Sequence, residues 1–299
     1  MPWNANSGIG FHMTIERTRD QDDTTTRITN ADVVIEHRLN DEVLDAATDL
    51  QWLQTLTSGY DRFDLDWLVD RDITLTTVSG VHATPVAQHV LGYILAFERG
   101  LYRARRQQQR REWRRYSPDE LTRKTVGIVN VGEIGSRIAE LLAPLDVAVL
   151  GVKRDTSVVP HAVDAVYGPD DYYEVLGRAD YVVVACPLTD ETCGMFDAAA
   201  FESMNSDAVL VNVAHGAIVE EPELVHAVQT RNVGGAALDV TADEPPGRES
   251  PLWDFDNVVL TPHLAGGSPR FPNRVANLFA DNYEEFVAGN FEKMRNRVV

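Results

Sequence analysis

Val126-Gly127-Ile128-Val129-Asn130-Val131-Gly132-Glu133-Ile134-Gly135 is the stretch from which the rest of the chain can be read. Its first half is short, apolar and β-branched, the pattern of a strand buried on both faces. Ile134 to Ala143 then carries apolar residues at helical spacing, so a strand runs through a tight turn into a helix. The first amides of such a helix lack intrahelical partners and face outward, which suits a phosphate. A dinucleotide-binding turn wants glycine at its first, third and sixth positions: for the bend, for close approach of backbone to pyrophosphate, and for packing of helix on strand. Those positions are Asn130, Gly132 and Gly135 here. Asparagine is among the least penalised non-glycine residues at positive φ, so Asn130 is expected to make the bend. The backbone of Gly132, Glu133, Ile134 and Gly135 would then hold a pyrophosphate.

Downstream, further apolar runs (Val147 to Val152, Tyr181 to Ala185, Ala208 to Val213, Gly234 to Val240, Val258 to Leu260) alternate with helical stretches. That is the pattern of a doubly wound parallel sheet. Upstream, the runs Gly10 to Ile15, Ala31 to Glu36, Leu53 to Thr57 and Ile73 to Thr77 are weaker and interrupted by polar residues, which predicts a smaller α/β domain. Between them, Thr84 reads as an N-cap and Pro85 as the first residue of an apolar helix. The segment from Arg103 to Arg115 is dense in Arg and Gln and reads either as a solvated helical face or as a cationic binding site. Asn273 to Met294 predicts a last helix, with Val275, Leu278, Phe279, Tyr283 and Phe286 on one stripe. The expected division is residues 1–93 with 274–299 as one domain and 94–273 as the dinucleotide-binding domain.

With 299 residues, 44% of them apolar, the chain is long enough for two cores and is not a disordered sequence. The net charge of -19 is spread along the chain, which excludes the cationic footprint that nucleic acid needs. Lys124, Lys153 and Lys293 are the only lysines. A dispersed acid excess with lysine depleted resembles proteins of salt-in halophiles, in which molar salt screens self-repulsion. Cys186 and Cys193 have no metal-ligand spacing around them, and neither a disulfide framework nor a zinc site is expected. Met1 to Phe11 has no basic or apolar leader pattern and no apolar run is long enough for a bilayer, so a cytoplasmic protein away from membranes is expected.

The second strand of the larger domain ends Val149-Leu150-Gly151-Val152-Lys153-Arg154, where an NAD enzyme usually places an acid for the ribose 2′-hydroxyl. Lys153 and Arg154 would attract a 2′-phosphate instead, which favours NADP, while the adjacent Asp155 keeps NAD open.

With these residues placed, the chain resembles the D-isomer-specific 2-hydroxyacid dehydrogenases, and Ser79-Gly80-Val81-His82-Ala83 is similar to their glyoxylate/hydroxypyruvate-reductase-like branch. The match is dense from Leu53 onward and poor before Ala31. The resemblance implies a Rossmann-type sheet inserted into a smaller flavodoxin-like α/β substrate domain, with the last helix returning to the N-terminal part. It also implies a homodimer, to which the Arg103 to Arg115 segment is a candidate contributor.

Cys186-Pro187-Leu188-Thr189-Asp190-Glu191-Thr192 resembles the family's loop beside the cofactor, so Pro187 and Thr192 are implied as contacts. Ala237-Leu238-Asp239-Val240 followed by Asp243-Glu244-Pro245 resembles the segment of the catalytic glutamate, which falls on Glu244, with Asp239 beside the nucleotide. Leu260-Thr261-Pro262-His263-Leu264-Ala265-Gly266 resembles the segment of the catalytic histidine, which falls on His263, with Gly266 also at the cofactor. Thr57-Ser58-Gly59-Tyr60 matches the loop whose amides take the substrate carboxylate, implying Ser58, Gly59 and Tyr60. His82 reads either as structural or as substrate-lining.

The implied chemistry needs these residue types. Reduction of a 2-keto acid adds hydride to C2 and a proton to the carbonyl oxygen, so an acid that titrates near neutrality must reach that oxygen. Imidazole does so, and a buried carboxylate beside it favours the imidazolium and fixes the ring. One position departs from the family: in Leu210-Val211-Asn212-Val213-Ala214-His215-Gly216 the arginine's place is taken by His215. A bidentate, permanently charged clamp becomes a single donor, a loss of about 2 to 5 kcal/mol of transition-state stabilisation. His215 protonated beside the carboxylate, a replacement arginine elsewhere, and a chain that has lost turnover all remain open. The alternative to a 2-keto acid/2-hydroxy acid reductase is a non-catalytic dinucleotide-binding sensor or scaffold of the same fold.

Overall fold

The computed structural model describes residues 14–36, 41–60 and 62–299. They form two compact units, one of the residues up to Ser79 with Val275–Val299, the other Gly80–Arg274. The first crossing therefore precedes the expected 93/94 boundary, because the helix that boundary would cut packs as one piece in the second unit, its Val86, Val90 and Ile94 in the same core as Ile128 and Ile138.

The first unit holds a parallel sheet of β1 (Val33–Glu36), β2 (Trp52–Thr55) and β3 (Thr74–Thr76), in that order. Its helices are α1 (Gln21–Ile28), α2 (Asp41–Asp45) and α3 (Leu65–Val69). Asp20 and Asp64 start α1 and α3 by accepting from the amides of Asp23 and Trp67, and so satisfy donors that a helix start leaves open. The predicted strand at Gly10 to Ile15 lies mostly outside the described residues, and its last two, Thr14 and Ile15, carry no strand.

The C-terminal chain belongs to this same unit. Val298 donates to the carbonyl of Leu75 at 2.8 Å, and Thr76 bridges Arg297 in antiparallel fashion. The last helix (α10, Phe271–Val287) stacks Phe279 on the fully buried Trp52 at 4.9 Å between ring centroids. It stops short of the expected Met294 because Gly289 takes φ 72° and its amide turns back to the carbonyl of Phe286.

In the second unit, α4 (Ala83–Glu98) and α5 (Leu101–Gln109) precede the sheet. α4 begins at Ala83 with His82 at the cap position, so Pro85 sits third in the helix and not first. Proline is tolerated there because first-turn amides have no intrahelical acceptor anyway. The Arg/Gln segment is helical only to Gln109, and several of its cations are engaged within the chain, among them Arg106, which pairs with Asp256 at 3.0 Å, and Arg103, which lies over the Tyr116 ring.

Seven parallel strands follow: β4 (Thr125–Val129), β5 (Ala148–Val152), β6 (Ala165–Tyr167), β7 (Tyr181–Val184), β8 (Val209–Asn212), β9 (Gly235–Leu238) and β10 (Val258–Leu260). Their order is β10-β9-β8-β7-β4-β5-β6. The helices α6 (Glu133–Leu142), α7 (Tyr172–Arg178), α8 (Ala198–Ser203) and α9 (Glu221–Thr230) connect them. β6 went unpredicted; it is a three-residue edge strand, half-buried throughout, whose apolar stretch is only Ala165-Val166-Tyr167. The central strands are buried on both faces, Val182, Val183 and Val184 having no exposed surface, at about 1.5 to 3 kcal/mol per side chain. Strand order reverses between β4 and β7, the topological switch point where α/β sheets bind ligands beyond the strands' carboxyl ends.

Candidate active site

Asn130 takes φ 76° in the turn after β4. Its side-chain amide donates to the carbonyl of Ala185, just beyond β7, at 3.0 Å, and ties the turn across the switch point. An asparagine thus supplies both the left-handed bend and a crosslink that glycine would lack. Gly135 meets a steric demand: a Cβ there would come within 2.5 Å of the Asn130 carbonyl oxygen. α6 starts at Gly132 with no side-chain cap, so its first amides remain available to an anion. An uncapped N-terminus over a turn with no room for a side chain fits a dinucleotide's pyrophosphate.

Lys153 and Arg154 follow β5. Arg154 pairs with Glu191 on the loop after β7, and both side chains are exposed. Thr192 closes that loop by donating to the Pro187 carbonyl at 2.7 Å and accepting from the Thr189 amide at 2.8 Å. Burial pushes the Cys186 thiol up to about 11, which makes it a structural group at the loop's base.

β8 ends at Asn212, a buried side chain that sequence reasoning missed. Its amide donates to the His215 carbonyl at 2.9 Å and its oxygen accepts from the Ala214 amide at 3.0 Å, folding the turn that presents His215. Gly216 lets this turn lie directly against the chain after β9, since a Cβ there would sit 1.9 Å from the Thr241 oxygen. His215 is exposed, yet partial desolvation holds its pKa below the usual imidazole value; the neighbouring His263 adds to this and Glu244 opposes it. Its imidazole is therefore neutral at pH 7.

Asp239, directly after β9, is buried. Its carboxylate accepts from the Thr261 hydroxyl, from the Leu264 amide at 2.9 Å and from the Ala265 amide at 2.8 Å. Its oxygens are thus committed to the loop that follows β10, a role the sequence pattern did not show. His263 sits in that loop at φ 49°, with its amide donating to the Asp239 carbonyl at 2.9 Å. Nδ1 of His263 lies 2.7 Å from Oε2 of Glu244. The carboxylate expected to be buried is not: the Glu244 side chain is 41% exposed and that of His263 62%, because both stand on loops beyond the strand ends. His82 bonds the Gly266 carbonyl through Nδ1 at 3.1 Å and stacks on Phe271, which gives it a structural role.

The carboxyl ends of β4, β5, β7, β8, β9 and β10 therefore all contribute to one rim. A model of the D-isomer-specific 2-hydroxyacid dehydrogenase NAD-binding domain matches residues 91–265. The chain is 34% identical to a glyoxylate reductase of Thermofilum pendens, over 84% of this chain and 76% of that one. The chain belongs to the D-isomer-specific 2-hydroxyacid dehydrogenase family.

Among solved structures, this dehydrogenase is similar to a family protein from Aeromonas salmonicida at TM-score 0.78 and 32% identity, covering 95% of this chain and 90% of the other. An NADPH-dependent glyoxylate/hydroxypyruvate reductase of Sinorhizobium meliloti, solved with NADP and sulfate, aligns at TM-score 0.75 and 27% identity, over 89% and 84% of the two chains. The protein is thus an NAD(P)-dependent enzyme of the class that interconverts 2-keto and 2-hydroxy acids.

In the dehydrogenase's other unit, Ser58, Gly59 and Tyr60 follow the carboxyl end of β2. Thr57 braces this loop by donating to the Gly59 carbonyl at 2.8 Å. The amides of Ser58, Gly59 and Tyr60 have no acceptor among the described residues. No helix among the described residues is long and apolar enough to cross a membrane, and none of their His, Cys, Asp and Glu side chains form a metal-binding group.

Proposed function

We propose that the protein reduces a small 2-keto acid to the D-2-hydroxy acid, with His263 as the acid/base and NADP as the favoured cofactor. The observation that carries this reading is the Nδ1 to Oε2 contact of 2.7 Å between His263 and Glu244 on the rim of the dinucleotide-type sheet. Reduced nicotinamide, when bound, supplies the hydride. Glu244 accepts a hydrogen bond from Nδ1–H of His263, which leaves Nε2 to deliver a proton to the carbonyl oxygen and to recover it in the reverse direction. His215 donates one hydrogen bond where the family's arginine gives two. The amides of Ser58, Gly59 and Tyr60, which have no acceptor among the described residues, suit the substrate carboxylate.

Asn130, Gly132, Glu133, Ile134 and Gly135 would hold the pyrophosphate through backbone amides, with Pro187, Thr192 and Gly266 on the nicotinamide side. Lys153 and Arg154 support NADP over NAD, since a 2′-phosphate would exchange one exposed pairing of Arg154 for a stronger one. A cytoplasmic homodimer adapted to high salt completes the proposal, resting on the dispersed charge of -19 and the family likeness.

The deciding experiment is a panel of glyoxylate, hydroxypyruvate, pyruvate and longer 2-keto acids, assayed with NADH and with NADPH in high salt. Turnover with at least one acid, lost in His263→Gln, is expected. Tight NADPH binding without turnover of any acid favours a dinucleotide sensor instead.

A further inference from the structure

His89 and Tyr93 lie one helical turn apart on α4, and both reach the same atom. The Tyr93 hydroxyl bonds Thr261 Oγ1, and His89 Nε2 lies 3.2 Å from that oxygen. The two rings also meet edge to face with centroids 4.5 Å apart. Thr261 is the residue whose hydroxyl donates to Asp239 Oδ1.

A proton count fixes every role. A hydroxyl has one proton and two lone pairs. The Asp239 carboxylate can only accept, so the Thr261 proton goes to it, and both lone pairs of Thr261 Oγ1 are left for Tyr93 and His89. Both must donate, which makes His89 the Nε2–H tautomer. Burial holds the His89 pKa below the usual imidazole value, against the pull of Asp239, so the ring is neutral at pH 7. Its Nε2 also stands 3.8 Å from Asp239 Oδ1.

The network ends at the acid/base. Asp239 takes the amides of Leu264 and Ala265 on its side chain and that of His263 on its carbonyl, so the turn that places His263 at φ 49° closes around this one residue. A β-carbon disfavours that backbone region, and the bonds to Asp239 help to hold a non-glycine residue there. We infer that Tyr93 and His89 are positioning residues of the reaction: by holding Thr261 they lock Asp239 and the 263–265 turn, and so aim His263 at Glu244. This assignment rests on His263 being the acid/base.

The test compares Thr261→Val, which keeps the shape and deletes the hydroxyl, with Thr261→Ser, which keeps the hydroxyl, and with Tyr93→Phe. Thr261→Val and Tyr93→Phe are expected to lower kcat about 10- to 100-fold, since small misplacements of reacting groups cost on that order. The Kd for NADPH, read by fluorescence, should stay within about twofold, as no partner of the pyrophosphate turn is touched. Thr261→Ser should restore most of the lost kcat. Amide hydrogen exchange at Leu264 and Ala265 should quicken in Thr261→Val and Tyr93→Phe and be slowed again in Thr261→Ser. The proposal is overturned if Tyr93→Phe and Thr261→Val keep wild-type kcat, if Thr261→Ser falls as far as Thr261→Val, or if exchange at the two amides does not change. Exchange reads the network without turnover, so a failure of the acid/base reading, seen as full activity in His263→Gln, is separately visible.

Discussion

Nδ1 of His263 and Oε2 of Glu244 stand 2.7 Å apart although both side chains are partly exposed to solvent. A partly exposed histidine–carboxylate contact of this kind contributes little to folding, and its two partners would not be held together for stability alone. Their value lies in orientation. The loops of both leave strand ends, β9 for Glu244 and β10 for His263, and Asp239 after β9 holds the His263 turn, so the pair is aligned by the backbone rather than by its own attraction.

Removing the pair should therefore leave the fold intact while abolishing the chemistry. His263→Gln is expected to lower kcat by about 10²- to 10⁴-fold and Glu244→Gln by about 10- to 100-fold. Melting temperatures should stay within a few degrees of wild type, as for exposed substitutions. Steady-state kinetics and calorimetry on the same preparations check both halves. A large loss of stability in either variant would mean that the contact is structural.

If His215 faces the substrate carboxylate as proposed, substrate affinity should depend on pH. Its pKa is held below the usual imidazole value, so it is neutral at pH 7 and gains its charge only as the pH falls. A 2-keto acid carboxylate is ionised throughout that range, so binding should tighten toward low pH: KM falls between about pH 7.5 and pH 5.5. In His215→Arg the charge is permanent, so KM should be lower at pH 7.5 and nearly flat across the same range, with kcat/KM raised about tenfold or more. A His215→Arg enzyme less active with every keto acid at pH 7.5 would rule out the weakened clamp.

Much of this arrangement is legible in the amino-acid sequence. Asn130 can be assigned its bend because so few residue types tolerate positive φ, and the seven-stranded unit announces itself in apolar runs that need cover on both faces. Relationships between strand ends are what local pattern leaves out. Nothing in it says that the buried Asn212 folds the His215 turn, a local bond that the residue type permits without requiring, or that Asp239 spends its oxygens on the 264–265 amides, which join segments up to 26 residues apart. The one hint is His89 and Tyr93, polar groups at helical spacing inside an apolar helix, which must find partners when buried. The exposure of Glu244 is hidden for a similar reason: its residue type and motif are plain, but its surroundings come from other loops.

Cofactor preference should respond to the Arg154–Glu191 pair. Both are exposed, so the pair itself is weak, but Glu191 sets a negative charge where a 2′-phosphate would come to Arg154. Arg154→Ala should raise the KM for NADPH about tenfold and that for NADH less than about twofold, the loss of one charge-assisted phosphate contact. Glu191→Gln should move the NADPH value the other way, by about two- to fivefold, an exposed charge being worth up to about 1 kcal/mol. Equal changes for both nucleotides in Arg154→Ala would take residue 154 out of cofactor selection.

Stability should rise with salt. The 46 acids outnumber 27 lysines and arginines, and they are distributed along the sequence, so folding compresses a net charge of -19 into a compact volume. At about 0.1 M salt the screening length is about 10 Å, long enough for neighbouring surface carboxylates to repel; at about 1 M it is about 3 Å, and the repulsion is largely removed. Melting temperature should therefore climb by several degrees between about 0.1 M and 1 M KCl. Since KCl screens without the strong exclusion effects of sulfate, most of that rise should already be present in KCl, with sulfate adding a smaller further step. A melting temperature flat in KCl and rising only in sulfate would assign the effect to general salting-out, and the acidic surface would then have no stabilising partner in salt.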